Sequence, residues 1–98
     1  MVLKTKPWDA ARELDTPERI ALYLEAAFED GDPALIAAAI GDAARAYGMT
    51  RLAKDTGLAR EALYRALSEG GNPELATVLK VLKALGLRLA AVEGEEAA

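Results

Sequence analysis

The sequence of 98 residues contains no cysteine and no histidine. Disulfide bonds and thiolate metal sites are therefore excluded, and the side chain that most often serves as a general base or a zinc ligand is missing. The carboxylates form no tight cluster of the kind that binds a hard cation. We therefore expect a protein that is not an enzyme and that has no cofactor, no metal site and no small-molecule substrate.

Long apolar runs are also missing, because no run approaches the ~20 residues that a membrane span needs. The N-terminus lacks the pattern of a signal peptide. About half of the residues, 52%, are nevertheless apolar, which is enough for one compact core in a chain of this length. The sequence predicts a single-domain cytoplasmic protein that makes no membrane contact.

The net charge of −4 argues against nucleic-acid binding, but the charge is unevenly distributed. Residues 42–65 carry five basic and three acidic side chains, whereas residues 1–32 carry four and eight, and residues 68–98 carry three and five. Local potential at a contact surface governs phosphate binding more than the total charge does. The middle of the chain could therefore meet DNA, and the acidic remainder suits a basic partner.

Helix start and stop signals divide the first half of the chain. Thr16 followed by Pro17 is typical of a helix N-terminus, and Asp32 followed by Pro33 repeats the signal. Glycines then predict the two helix ends, at Gly31 and Gly48. The expected buried faces are Ile20, Leu24, Ala27 and Phe28 on the first helix and Leu35, Ile36, Ala39, Ile40 and Ala43 on the second.

The segment from Met49 to Leu67 indicates two short helices bent around Gly57, the layout of a helix-turn-helix. We expect Thr50 to cap the first of them and Ala59 to open the second. Four leucines are spaced to pack between these two helices and the rest of the bundle: Leu52, Leu58, Leu63 and Leu67. A last helix from about Pro73 to Leu85 would bury Leu75, Val78, Leu79, Leu82 and Leu85.

The outer face of the second short helix predicts DNA contacts. Arg60 and Glu61 lie in the first turn, which reaches base edges in this docking geometry, and Tyr64 and Arg65 follow one turn later. On the preceding helix, the residues expected over the phosphate backbone are Thr50, Arg51 and Lys54. The alternative is that this face is simply a solvated polar surface.

Nearly the whole chain resembles one protein family. The segments that carry the resemblance are Lys4–Asp9, Ile20–Asp32, Gly48–Gly57 and Asn72–Leu87, which look like the bacterial addiction-module antidote proteins. The resemblance implies a lambda-repressor-type helix-turn-helix in a HigA-like antitoxin. Such a protein neutralises a small toxin of the RelE/ParE superfamily and represses its own operon. Ala59 and Arg51 depart from the family, which usually has Ser and often Gln at these positions.

A single helix-turn-helix recognises DNA weakly, whereas dimers bind two half-sites about 34 Å apart. We therefore expect a homodimer. The predicted seam is Leu82, Leu85, Leu87, Leu89 and Val92. Leu87 and Leu89 alternate with Arg88, which fits a short strand that could pair with its twin across a two-fold axis. The alternative is that these residues only cover the bundle.

Trp8, the only tryptophan, is the candidate toxin contact, because tryptophan often anchors interfaces. Its alternative role is to pack on the first helix beside Leu14 and Tyr23. The expected organisation is an N-terminal arm over 1–14, a helix-turn-helix DNA-binding domain over 15–92 and an acidic tail over 93–98. The fold class is all-α, a five-helix lambda-repressor-like bundle.

Two other functions remain open at this stage. A phage-type repressor without a toxin partner would have the same helix-turn-helix. A protein-interaction module that has lost DNA binding would share the fold but not the cationic contacts.

Overall fold

The computed structural model of the chain describes residues 14–68 and 70–94. This part contains five α-helices and no strand, so the predicted all-α fold is confirmed. The helices are α1 (Pro17–Asp30), α2 (Pro33–Tyr47), α3 (Met49–Thr56), α4 (Arg60–Ala66) and α5 (Leu75–Ala84). Most of the predicted arm, with Trp8, and residues 95–98 of the predicted tail lie outside the described residues.

The first two helices begin and end where the sequence predicts. The Thr16 hydroxyl accepts a hydrogen bond from the backbone N–H of Arg19 at 3.1 Å, and the Asp32 carboxylate accepts one from the N–H of Ala34 at 3.2 Å. Gly31 lies between the helices with φ of 84°. This left-handed conformation is energetically unfavourable for residues that have a side chain. Side-chain capping and one left-handed glycine thus place α1 and α2 next to each other.

The helices α3 and α4, called here the short helix pair, are joined by the turn Gly57–Ala59. Gly57 has φ of 77°, and its N–H donates to the carbonyl of Ala53, which ends α3 as predicted. The prediction that Thr50 caps α3 is wrong, because the helix already begins at Met49 and its N-cap is Gly48. Ala59 is the N-cap of α4 and has no side-chain oxygen that could accept a hydrogen bond.

Side chains from every helix meet in one core. The large side chains that are fully buried are Leu24, Ile40, Leu52, Leu63, Leu67, Val81 and Leu82. Of the four leucines predicted to fill the seam of the short helix pair, Leu58 alone is only partly buried. The short helix pair is therefore anchored through its apolar side, and its polar side faces outward.

Four residues expected in the core are exposed instead. Phe28 and Leu35 lie at the surface, and Leu75 and Leu79 are 64% and 44% exposed. The helix α5 starts at Leu75 rather than Pro73, and its inward stripe is Val78, Val81, Leu82 and Leu85. Leu75 and Leu79 fall beside this i, i+3, i+4, i+7 stripe, so the helix turns them outward.

Gly41, in the middle of α2, allows a close approach of the backbone at Leu67. A Cβ atom placed there would lie 2.1 Å from the carbonyl oxygen of Leu67, which follows α4. The glycine therefore lets the end of the short helix pair touch α2.

The segment 87–94 has no regular secondary structure in the single chain, so the strand that was expected to pair with a second copy stays a prediction. The N–H of Leu87 donates to the carbonyl of Leu82 at 2.8 Å and turns the chain away from α5. Of the five residues predicted as a dimer seam, Leu82 and Leu85 are buried in this chain's own core. Both are therefore largely withdrawn from the surface, whereas Leu87 is half-buried and Leu89 and Val92 are exposed. None of the helices in residues 14–68 and 70–94 is long and apolar enough to cross a membrane.

Candidate nucleic-acid interface

The outer side of the short helix pair is polar and cationic. All seven residues that the sequence nominates for DNA contact are exposed: Thr50, Arg51, Lys54, Arg60, Glu61, Tyr64 and Arg65. Residues 49–66 carry four basic and two acidic side chains. An approaching ligand therefore meets a cationic surface even though the chain as a whole is acidic.

Arg60, the first residue of α4, is held from two sides. Its Nη1 donates a hydrogen bond to the Thr50 hydroxyl on α3 at 3.0 Å. Its guanidinium carbon also lies 5.8 Å from the centre of the Tyr64 ring, one turn further along α4, which is within cation–π range. The structure thus brings together three of the seven nominated residues in one contact that bridges both helices of the pair.

Arg51 is held by a second cluster that the sequence analysis did not identify. Its guanidinium carbon lies 4.2 Å from the centre of the Tyr47 ring, and the Tyr47 hydroxyl donates a hydrogen bond to the Asp55 carboxylate. This hydrogen bond raises the pKa of Tyr47 above its ordinary value, because it favours the protonated phenol that donates it. The spacing of four residues between Tyr47, Arg51 and Asp55 is the signal that could have revealed the cluster.

Lys54 and Arg65 differ from these two arginines. Neither has a side-chain hydrogen bond or ion pair within the described part of the chain. Their flexible cationic ends can follow a phosphate over several positions, which is sufficient for a contact that carries no base information. The same face therefore contains two arginines with side-chain contacts and two cations without a side-chain hydrogen bond or ion pair among the described residues.

The remaining predicted surface lies on α1 and the segment 87–92. Together they enclose an open groove of about 400 Å³, here called the C-terminal groove. Its apolar wall includes Phe28, Leu87, Leu89 and Val92, and its charged residues are Glu25, Glu29 and Arg88. The salt bridges among the described residues join Arg19 to Asp15 and Arg45 to Asp42, so Arg88 is not ion-paired there.

Within the described ranges, no group of three or more Asp, Glu, Cys and His residues could hold a metal ion. The acidic side chains are instead spread along α1, where residues 14–32 carry six carboxylates and a single basic residue, Arg19. This arrangement provides an acidic surface rather than a coordination site.

The comparisons with known proteins agree with the resemblance seen in the sequence. The family described as "Probable addiction module antidote protein" matches residues 4–93. An uncharacterized protein of Haemophilus influenzae is 47% identical over 88 residues, which are 90% of this chain and 91% of that relative. No solved structure was found to match the chain.

An antidote acts on a toxin, so this family implies a toxin protein as a partner. The match extends over all five helices and over the C-terminal groove. The chain therefore belongs to the family of probable addiction module antidote proteins.

Proposed function

We propose that this antidote is a HigA-like antitoxin that binds a RelE/ParE-superfamily toxin directly and represses its own operon by binding operator DNA. In this proposal the short helix pair is a lambda-repressor-type helix-turn-helix. The observation that carries it is the exposed cationic face of the pair, with Arg60 at the first turn of α4, in a chain of an antidote family.

The dimensions of the short helix pair suit the DNA major groove. An α-helix with its side chains is about 10–12 Å across, so α4 fits a major groove that is about 12 Å wide. If α4 enters the groove, Arg60 and Glu61 meet base edges first. Arg51 and Lys54 on α3 then lie along the phosphate backbone and fix the register of the protein.

The acidic surface of α1 suits the toxin side of the proposal. Six carboxylates and one arginine in residues 14–32 give this surface a potential opposite to that of the short helix pair. Complementary potentials steer the encounter of two proteins and suppress wrong partners. A toxin with a basic surface would therefore be drawn to α1, while DNA would be drawn to α3 and α4.

We also propose that the active form is a homodimer that binds two half-sites. A second copy seated on the C-terminal groove would cover Phe28, Leu89 and Val92, which are exposed in the single chain. The groove carries charges of both signs, so a second copy related by a two-fold axis could pair its own charges with them.

DNA binding is tested by gel shift with a duplex from the promoter region of the protein's own operon. A shuffled duplex of equal length and composition is the control. We expect the promoter duplex to bind more tightly. We also expect binding of both duplexes to weaken steeply as the salt concentration rises, because the basic side chains of the protein release counterions from the DNA when they bind phosphates. Equal affinity for the two duplexes would refute specific operator binding.

Toxin binding is tested by co-expression with the product of the adjacent reading frame. We expect this product to inhibit growth when it is expressed alone and to co-purify with the antidote, with growth restored, when both are expressed. Specific DNA binding without any complex would instead favour a phage-type repressor that has no toxin partner. A complex without DNA binding would favour a protein-interaction module.

A further inference from the structure

The four cations of the short helix pair are not equivalent, and Arg60 has a distinct environment. It is the cation whose hydrogen bond crosses from α4 to α3, where the acceptor is the Thr50 hydroxyl. Arg51 instead lies against Tyr47, at the junction of α2 and α3. Lys54 and Arg65 have no side-chain partner in the part of the chain that is described. The orientation of Arg60 relative to both helices is therefore the most constrained.

We propose that Arg60 reads a guanine base and that Thr50 is a positioning residue that holds the Arg60 guanidinium for this contact. The inference rests on the DNA binding proposed above. It adds that one cation of the short helix pair recognises a base, whereas the others contact phosphates. It also gives Thr50 a role different from the phosphate contact that the sequence predicts.

The chemistry of the guanidinium group supports this role. Arginine has five N–H donors in one plane, and the Thr50 hydroxyl takes a single hydrogen bond from Nη1. The remaining donors can still form the two parallel hydrogen bonds that recognise O6 and N7 of guanine. Because Thr50 and the Tyr64 ring both restrict the side chain, less conformational freedom is lost when the base contact forms.

The place of Arg60 in the pair separates base reading from phosphate contact. Arg60 is the first residue of α4, and in this docking geometry the first turn of the second helix reaches base edges. Arg65 lies more than one turn further along α4, and its side chain has no hydrogen bond to residues 14–68 or 70–94 that would fix its direction. A phosphate contact needs no fixed direction, whereas a paired contact to a base edge does.

The test measures a discrimination ratio for the full chain, four single variants and one double variant. This ratio is the affinity for the promoter duplex divided by the affinity for the shuffled duplex. Arg60→Ala should lower the ratio by about 5- to 150-fold, the value of one two-bonded base contact. Thr50→Val removes the hydroxyl at nearly constant shape and should lower it by about 2- to 10-fold, the value of one hydrogen bond.

Two further variants serve as controls. Thr50→Ser keeps the hydroxyl and should keep the ratio of the unmodified chain. Arg65→Ala should weaken both duplexes to the same extent and leave the ratio unchanged, because a phosphate contact is independent of sequence. Thr50→Val introduced together with Arg60→Ala should behave like Arg60→Ala alone, since Thr50 then has nothing to position.

The outcomes separate this inference from the proposed function. If the unmodified chain shows no preference for the promoter duplex, operator binding and the inference fail together. If the unmodified chain prefers the promoter duplex but Thr50→Val has the same discrimination ratio, the inference alone is overturned. It is also overturned if Thr50→Val lowers the affinity for both duplexes by the same factor, both in the chain with Arg60 and in the Arg60→Ala variant. Thr50 would then be a phosphate contact itself. Circular dichroism checks that each variant is folded.

Discussion

At the scale of single residues, the contact between Tyr23 and Asp42 links α1 to α2. The Tyr23 hydroxyl donates to the Asp42 carboxylate at 2.5 Å, and the same carboxylate accepts from Arg45 at 2.7 Å. Partial burial, together with the hydrogen bond to Asp42 and the negative charge there, raises the pKa of Tyr23 to about 12. An ionised phenolate could not donate this hydrogen bond and would be repelled by the carboxylate.

This contact predicts how the stability of the chain depends on pH. The pKa of Tyr23 is higher in the folded state, about 12, than the ordinary value of 10.0. The stabilisation is therefore fully present below pH 10 and is lost as the pH rises toward 12. Below pH 10, Tyr23→Phe should lower the free energy of unfolding by about 1–2 kcal/mol.

The measurement for this prediction is urea unfolding of the chain and of Tyr23→Phe from pH 7 to pH 12. The difference between the two proteins should stay constant up to pH 10 and then shrink. A difference that is absent at pH 7, or that grows above pH 10, would contradict the hydrogen bond to Asp42. Comparing the two proteins at each pH removes the effect of the other groups that titrate in this range.

At Gly41, replacement of glycine by alanine should destabilise the chain, although this replacement normally stabilises a helix. Alanine is favoured over glycine in a helix interior by about 1 kcal/mol. At Gly41, however, the new Cβ would lie 2.1 Å from the Leu67 carbonyl oxygen, so the backbone must shift. We expect Gly41→Ala to lower the free energy of unfolding by about 2 kcal/mol or more.

Gly70 provides the matched control for this prediction, because a Cβ atom there would meet nothing within 4 Å. Gly70→Ala should therefore change the free energy of unfolding by no more than about 0.5 kcal/mol. Both variants are compared with the unmodified chain by thermal and urea unfolding. A Gly41→Ala variant as stable as the unmodified chain would show that α2 and the end of α4 do not approach this closely.

At the scale of secondary-structure elements, the five helices differ in how they begin. The helices α1 and α2 have side-chain caps, whereas α3, α4 and α5 have no side-chain hydrogen bond at their N-caps. Helices as short as α3 and α4 do not form alone in water. Their stability therefore depends on burial of Leu52 and Leu63 against the rest of the core.

Because α4 lacks a cap, one substitution should stabilise the chain. Ala59 has φ of −70° and ψ of 140°, the extended conformation that an N-cap residue adopts. Ala59→Ser should place a hydroxyl where it accepts from a free N–H in the first turn, raising the free energy of unfolding by about 1 kcal/mol. Ala62→Ser, the same change inside α4, should instead lower it by about 0.5 kcal/mol.

Urea unfolding followed by circular dichroism measures both effects. If the two serine variants change stability in the same direction, the helix does not begin at Arg60 as the structure places it. The comparison is informative because the two substitutions are chemically identical and differ only in their position relative to the helix N-terminus.

The sequence predicted the elements better than it predicted their exposed faces. Local signals identified the helix ends at Thr16, Asp32 and Gly57, which act through hydrogen bonds and dihedral angles within a few residues. They misplaced the starts of α3 and α5, which lie at Met49 and Leu75 instead of after Thr50 and at Pro73. Which side of a helix is buried depends on the neighbours. Leu75 and Leu79 were therefore placed wrongly even though α5 itself was predicted.

The candidate site followed the same rule. Exposure of Arg65 follows from its place two residues from both Leu63 and Leu67, which are buried on the other side of the chain. Arg60 is exposed as well, although these leucines stand three and seven residues after it, so its exposure reflects its place at the start of α4. The hydrogen bond from Arg60 to Thr50 joins residues ten positions apart in different helices, so it depends on the angle between α3 and α4. No local pattern in the sequence encodes that angle.

At the scale of the whole molecule, charge separates two surfaces. The short helix pair is cationic, whereas residues 14–32, which contain α1, carry six carboxylates and one basic residue. The C-terminal groove lies beside this acidic helix and combines Glu25 and Glu29 with Arg88. Val92, which is 89% exposed, and Leu89 add apolar surface next to these charges. A second copy placed across a two-fold axis would bring Arg88 of each chain toward the carboxylates of the other.

This arrangement predicts a charge-reversal rescue that only a contact between chains can produce. Arg88→Glu alone, or Glu25→Arg combined with Glu29→Arg, would place like charges opposite each other and should raise the dimer Kd by about 10-fold or more. An equimolar mixture of the two variants restores opposite charges at both contacts of the pair. Light scattering after size exclusion should therefore show dimers in the mixture and a shift toward monomers in each variant alone.

The mixture distinguishes contacts between chains from contacts within one chain. If Arg88 interacted only with Glu25 and Glu29 of its own chain, mixing would restore nothing, and only a single chain carrying all three changes would recover. Glu18→Arg is the matched control, because Glu18 is exposed on the same helix but does not line the groove. It should leave the dimer unchanged. A monomeric unmodified chain would refute the dimer, while the gel shift on the promoter duplex would still decide independently whether a single copy binds DNA.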